Sequence, residues 1–147
     1  GSLSGCRCLI RTDGPLDFNF IPEPTSDVEY VLHPSDDGRP FILHLRAPDM
    51  EWVWHGSGQN RYGLKTLSAD RVNGSYTALL RLPAGWAGQF NLTQNDSWEW
   101  FVINGRTILS DGTIFETDSY SYRPATPEPM AFASAESDTD ILLWRIV

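Results

Sequence analysis

The chain has 147 residues, 41% of them hydrophobic and 20% charged, which suits a soluble protein with a single core. Nineteen acidic residues outnumber eleven basic ones for a formal charge of −8, so no basic stripe is available to neutralise nucleic-acid phosphates or an anionic membrane surface. No apolar run approaches the roughly 18 residues that cross a bilayer, and Cys6 and Cys8 are too close and too few for a disulfide framework.

Gly1-Ser2 reads as a cloning remnant, and no charged, apolar and small-residue series follows it as a leader would require. Three N-x-[ST] sequons, at Asn73, Asn91 and Asn95, are short matches that do not outweigh a cytoplasmic reading. Residues 1–28, with Pro15, Pro22 and Pro24, are expected to form an extended N-terminal arm laid along the domain or a partner subunit. Residues 29–147 are expected to form the domain itself.

Helical periodicity is nearly absent from that domain. Short runs and alternations rich in β-branched and aromatic residues, bounded by Gly, Pro, Asn and Asp, predict strands instead. In chain order they are Glu29–Leu32, Phe41–Leu45, Trp52–Trp54, Tyr62–Leu67, Tyr76–Leu82, Gln89–Thr93, Trp98–Ile103, Arg106–Leu109, Gly112–Glu116, Ser119–Tyr122, Met130–Ser134 and Ile141–Ile146. Asp36-Asp37-Gly38, Val72-Asn73-Gly74-Ser75, Asn104-Gly105 and Ser110-Asp111-Gly112 supply turn chemistry, and Pro124 to Pro129 a stiff loop. Many short strands at close spacing predict an all-β sandwich or barrel.

Trp52, the stretch Gly63-Leu-Lys65-Thr-Leu67 and the stretch Leu79-Leu80-Arg81-Leu82-Pro83-Ala-Gly85 follow one another in the order found in one group of proteins. From about residue 50 onward the chain resembles the cupin superfamily, and within it the ChrR-like and acetylacetone dioxygenase-like cupin domains. That resemblance implies a single cupin barrel, a double-stranded β-helix of jelly-roll type, with a homodimer as the expected assembly. It also implies a metal site whose frame runs Gly, five residues, His-x-His, three or four residues, Glu, six residues, Gly.

Counted from Gly85, that frame puts Asn91 and Thr93 at the two His positions, Trp98 at the Glu position and Gly105 at its end. The second motif, counted from Asp118 through Pro124, puts Pro129 where the third His belongs. Asn and Thr are poor neutral ligands, and Trp and Pro side chains offer no donor, so no metal and no other cofactor is expected. His33, His44 and His55 lie upstream with no ligand spacing among them, and Lys65, the single lysine, is the one candidate for a Schiff base.

If the family's inward positions hold, Gln89, Asn91, Thr93, Trp98, Trp100 and Pro129 line the pocket, which suits a small, largely apolar organic molecule. The opposite reading is that Trp98 and Trp100 fill the vacated site as core. Tyr122, Glu116 and His55 are the acid-base candidates for a cofactor-free isomerase, cyclase, dehydratase or lyase, with Asp118 and Tyr120 behind them. A non-catalytic binding or sensor module is the alternative, and a metal-dependent dioxygenase is opposed at every ligand position.

Overall fold

Alternation along Tyr76–Leu82 shows how the sheets are specified: Ala78, Leu80 and Leu82 are buried, while Thr77, Leu79 and Arg81 face the other side. The computed structural model describes residues 46–147, and the same period recurs along most of the strands in that range. These are β1 (Val53–His55), β2 (Tyr62–Ala69), β3 (Tyr76–Leu82), β4 (Trp86–Leu92), β5 (Ser97–Asn104), β6 (Arg106–Leu109), β7 (Ile114–Glu116), β8 (Tyr120–Arg123), β9 (Met130–Ala135) and β10 (Thr139–Ile146). The expected arm over residues 1–28, the expected strands Glu29–Leu32 and Phe41–Leu45, both cysteines, His33 and His44 lie outside the described residues.

The strands form two antiparallel sheets. The larger has the order β1-β2-β3-β10-β5-β8 and the smaller β4-β9-β6-β7. Sequence neighbours β4 and β5 lie in different sheets, which is the chain path of a jelly roll rather than of a meander. Among the described residues no helix is long and apolar enough to cross a membrane.

Between the sheets lies a continuous core of Leu80, Leu82, Trp86, Phe90, Leu92, Trp98, Trp100, Val102, Leu109, Phe132, Ala135, Ile141 and Leu143. Side chains of this size contribute about 1.5–3 kcal/mol each when fully buried, so three tryptophans and two phenylalanines dominate the packing. The register between β3, β10 and β5 brings Leu80, Ile141 and Val102 into one row and Ala78, Leu143 and Trp100 into the next.

Two turns depend on glycine. Gly85 has φ +74° and delivers the chain into β4 so that Trp86, 2% exposed, drops straight into the core. β4 therefore starts three residues before the expected Gln89. Gly105 has φ +92°, and a Cβ there would meet the Asp138 carbonyl oxygen and Thr139 Oγ1 at 2.5 Å each. Thr139 is fully buried, and its hydroxyl is within 3.0 Å of both the N–H and the carbonyl of Arg106, which locks the β5–β6 turn to β10.

Candidate functional site

The direction in which β4 presents its side chains decides what the barrel interior can do. Trp86, Phe90 and Leu92 are buried, whereas Gln89, Asn91 and Thr93 are exposed. The expected inward set is thus the outward one, and the two inward positions before the turn are Phe90 and Leu92. The cause is local: the Trp86 indole folds inward over Gly88, whose Cβ would stand 2.9 Å from Trp86 Cζ2, and this fixes the even-numbered residues as the core face. An extra residue on β4 between the Ala87 and Phe90 pairings with β9 bends the strand without changing that face.

On β5 the expected alternation holds. Trp98, Trp100 and Val102 are buried and Glu99 and Phe101 are turned to the outer face. Trp98 donates its indole N–H to the Thr93 carbonyl oxygen at 3.2 Å, and its ring meets Tyr76 edge-on at 5.9 Å. Trp100 is held edge-on between Phe115 at 5.4 Å and Phe132 at 5.8 Å. These two tryptophans fill the interior as core rather than lining an open chamber. The indole N–H of Trp100 has no acceptor there, and neither does Nη1 of Arg123, which lies across from Trp98 and whose Nη2 donates to the Glu128 carbonyl.

The ligand positions inferred for a metal do not converge. Asn91 and Thr93 face outward, Trp98 offers no lone pair to a metal, and Pro129 is exposed in the loop before β9. The inward positions Phe90 and Leu92 are hydrocarbon, so these residues do not fit a divalent cation. Among the described residues no group of three His, Cys, Asp or Glu side chains comes together.

The three acid-base candidates occupy three separate surfaces. Tyr122 lies on the outer face of the large sheet opposite Glu99, 54% exposed. Glu116 lies on the outer face of the small sheet, opposite Arg106 and 3.4 Å from its guanidinium. His55 lies at the end of β1, stacked on Tyr62 with 5.3 Å between ring centres, and it alone of the three faces a groove.

That groove runs along the inner face of the large sheet, where β1, β2 and the start of β3 extend past the packed core. It has a volume of about 520 Å³, with Val53, Leu64, Ala69 and Ala78 as apolar walls and His55, Thr66, Asp70 and Tyr76 as polar groups. The pairings Val53 with Leu64 and Thr66 with Ala78 put these residues on one face, and the register shift after Thr66 brings Ala69 opposite Tyr76. At one end Asp70 accepts the backbone N–H of Val72 at 2.7 Å and so shapes the turn that carries Gly74.

Tyr76 separates this groove from the core. Its hydroxyl is raised above the ordinary phenol range by burial first, with nearby Arg145 opposing and Tyr62 and Asp96 adding to the rise. Arg145 in turn is held by Asp96, with Nε to Oδ2 at 2.7 Å, beneath the same ring. The alternation that puts Leu64, Thr66, Tyr76 and Ala78 on one face was present in the sequence.

No family profile and no curated protein matches the chain. Solved structures do. A proposed acetylacetone dioxygenase from Methylibium petroleiphilum superposes with a TM-score of 0.58 at 16% identity, covering 78% of this chain and 81% of that one. A predicted oxalate decarboxylase from Thermotoga maritima gives 0.58 at 9% identity over 71% of this chain and 99% of that one. The Rhodobacter sphaeroides complex of SigE with the anti-sigma ChrR gives 0.51 at 14% identity, over 69% of this chain and 52% of the matched chain. At such identities the likeness carries the architecture and no chemistry, and it agrees with the strand order and core described above: the chain has the cupin fold.

Proposed function

We propose that this protein binds a small, largely apolar organic molecule in the groove on the inner face of β1–β3, as a carrier or sensor module rather than as an acid-base enzyme. The observation that carries this reading is the groove itself, about 520 Å³ with apolar walls and four polar groups, beside an interior already filled by Trp98 and Trp100. Ligand sites commonly occupy about 300–1,000 Å³ and pair apolar walls with a few placed donors. Tyr76, Thr66 and His55 would orient the bound molecule, while Val53 and Leu64 would supply the contact area.

Binding is favoured over turnover by the dispersal of the candidate acids and bases. Proton transfer needs a group within hydrogen-bond reach of the substrate, and Glu116 and Tyr122 sit on outer faces away from the groove. His55, Asp70 and Tyr76 share it, so an enzymatic role would have to rest on those three.

Native mass spectrometry of the full chain after incubation with a library of small organic compounds tests the proposal. A one-to-one adduct whose ligand is released chemically unchanged, and which Leu64→Arg abolishes, is the expected result. Retention undiminished in Leu64→Arg, or no adduct with any compound, would sink it.

A further inference from the structure

The opposite face of the same strands carries a second recess, built on the single lysine of the chain. Lys65 alternates with Leu64 and Thr66, so its side chain leaves the sheet on the outer side. It is 6% exposed, unusual for a lysine. Its ammonium donates to the Ala47 carbonyl oxygen at 2.7 Å and lies 4.5 Å from the centre of the Trp52 ring, and among the described residues it forms no ion pair with a carboxylate.

Arg81 approaches the same indole, its Cζ also 4.5 Å from the ring centre. The two cations differ in one respect. Arg81 is forked onto Asp140 by two bonds of 2.7 Å, which raises its affinity for its proton and neutralises it locally, whereas Lys65 has a carbonyl and a ring but no counter-charge. Trp52 can lie between them because Gly63 pairs with Arg81 and has no side chain: a Cβ there would stand 2.9 Å from Trp52 Cε3. The indole, Lys65, Arg81 and Asp140 border a recess of about 380 Å³ whose remaining walls include Pro48, Leu79 and Ile103.

A buried ammonium without a partner ion is expensive, and the ligand that offsets it supplies one negative charge and a hydrogen-bond acceptor. Arg81 and Asp140 cancel, which leaves a net charge of one, so a monoanion matches better than a dianion. The indole and the aliphatic walls favour an apolar body behind that charge. From this geometry we infer that the recess is a binding site for a small organic monocarboxylate, its carboxylate on Lys65 Nζ and its apolar part against Trp52, Leu79 and Ile103. The site is independent of the groove on the inner face.

A single lysine makes the test direct. Selective ¹⁵N-lysine labelling of the full chain gives one side-chain ammonium resonance, followed while acetate, butyrate, phosphate or chloride is added at constant ionic strength. Acetate and butyrate are expected to shift it saturably, butyrate at lower concentration, with little response to phosphate or chloride. Lys65→Met should weaken binding, followed by intrinsic tryptophan fluorescence, by about tenfold or more, as loss of a charge-assisted hydrogen bond implies. Ile103→Glu, a change at a 42% exposed rim position that leaves the core untouched, should weaken butyrate binding as well, and Leu64→Arg on the other face should leave it unaltered. Absence of a saturable shift in the unmodified chain, or shifts of equal size with chloride and phosphate, overturns the inference.

Discussion

Tyr76 meets Trp98 edge-on, with ring centres 5.9 Å apart and planes at 83°, and this contact divides the molecule's inner face into a filled half and an open half. On the Trp98 side lie Trp100, Phe132 and the aliphatic core. On the other side lie the groove residues Thr66, Ala69 and Ala78. A ring that touches both halves is a natural reporter for both.

Burial holds the Tyr76 hydroxyl above its usual value of 10.0, so its proton is bound more tightly in the folded chain than in the unfolded one. The sign follows: this stabilisation is fully present below the unfolded pKa and is lost as pH rises through the folded one. Stability measured by urea unfolding is expected to decline from about pH 10 upward, and Tyr76→Phe should flatten part of that decline. An unchanged alkaline slope in Tyr76→Phe would remove Tyr76 as its source.

Trp100 lies edge-on to both Phe115 and Phe132 and is 2% exposed, so truncation leaves a void that neighbours from both sheets cannot close. Trp100→Ala is expected to cost about 3–5 kcal/mol. Chemical denaturation checks it. Were the barrel interior an open ligand chamber, the loss would be smaller and a bound ligand would be needed to see it.

How far the sequence could be read depended on which signal was local. Alternation within Tyr76–Leu82 and Trp98–Ile103, and the Asn104-Gly105 turn, are decided by residues a few positions apart, and each expected strand from Trp52 onward has its counterpart in the fold. The face of β4 is set by packing rather than by motif spacing. Spacing counted from Gly85 assigned Asn91 and Thr93 inward, but the strand takes its phase from Trp86 folding over Gly88, a packing event that spacing does not encode. The Lys65 recess was equally illegible, because Trp52 comes from β1's approach and Asp140 from the last strand, and only cross-strand register brings them to one place.

Gly105 offers a test of the frame's end. With φ +92° and two oxygens 2.5 Å from any added Cβ, it tolerates neither the conformation nor the volume of a side chain. Gly105→Ala should destabilise the fold by about 1–3 kcal/mol, the range for a strained backbone position, read as a lower thermal midpoint. Gly112, φ +88° with nothing near its Cβ position, should show only the conformational part of that loss when changed to Ala.

The orientation of β4 makes the sharpest prediction because two pairs of substitutions, one residue apart, should behave oppositely. Asn91→His with Thr93→His restores the spacing of a metal motif, yet both positions are exposed. Surface changes of this kind shift stability by about 0.5 kcal/mol or less, and two imidazoles on an outer face gain no inward ligands to complete a cupin-like site. Phe90→Asn with Leu92→Thr puts the polar pair where the core lies, against Phe132 and Tyr62. Each inserts an amide or hydroxyl without a partner and removes buried ring or methyl surface, so the double change should cost more than about 4 kcal/mol and leave the chain largely unfolded. Circular dichroism and thermal melts of the two variants side by side decide it. If the histidine pair unfolds the protein while the Phe90 and Leu92 pair is tolerated, β4 presents its odd-numbered residues inward and the interior must be redrawn around Gln89, Asn91 and Thr93.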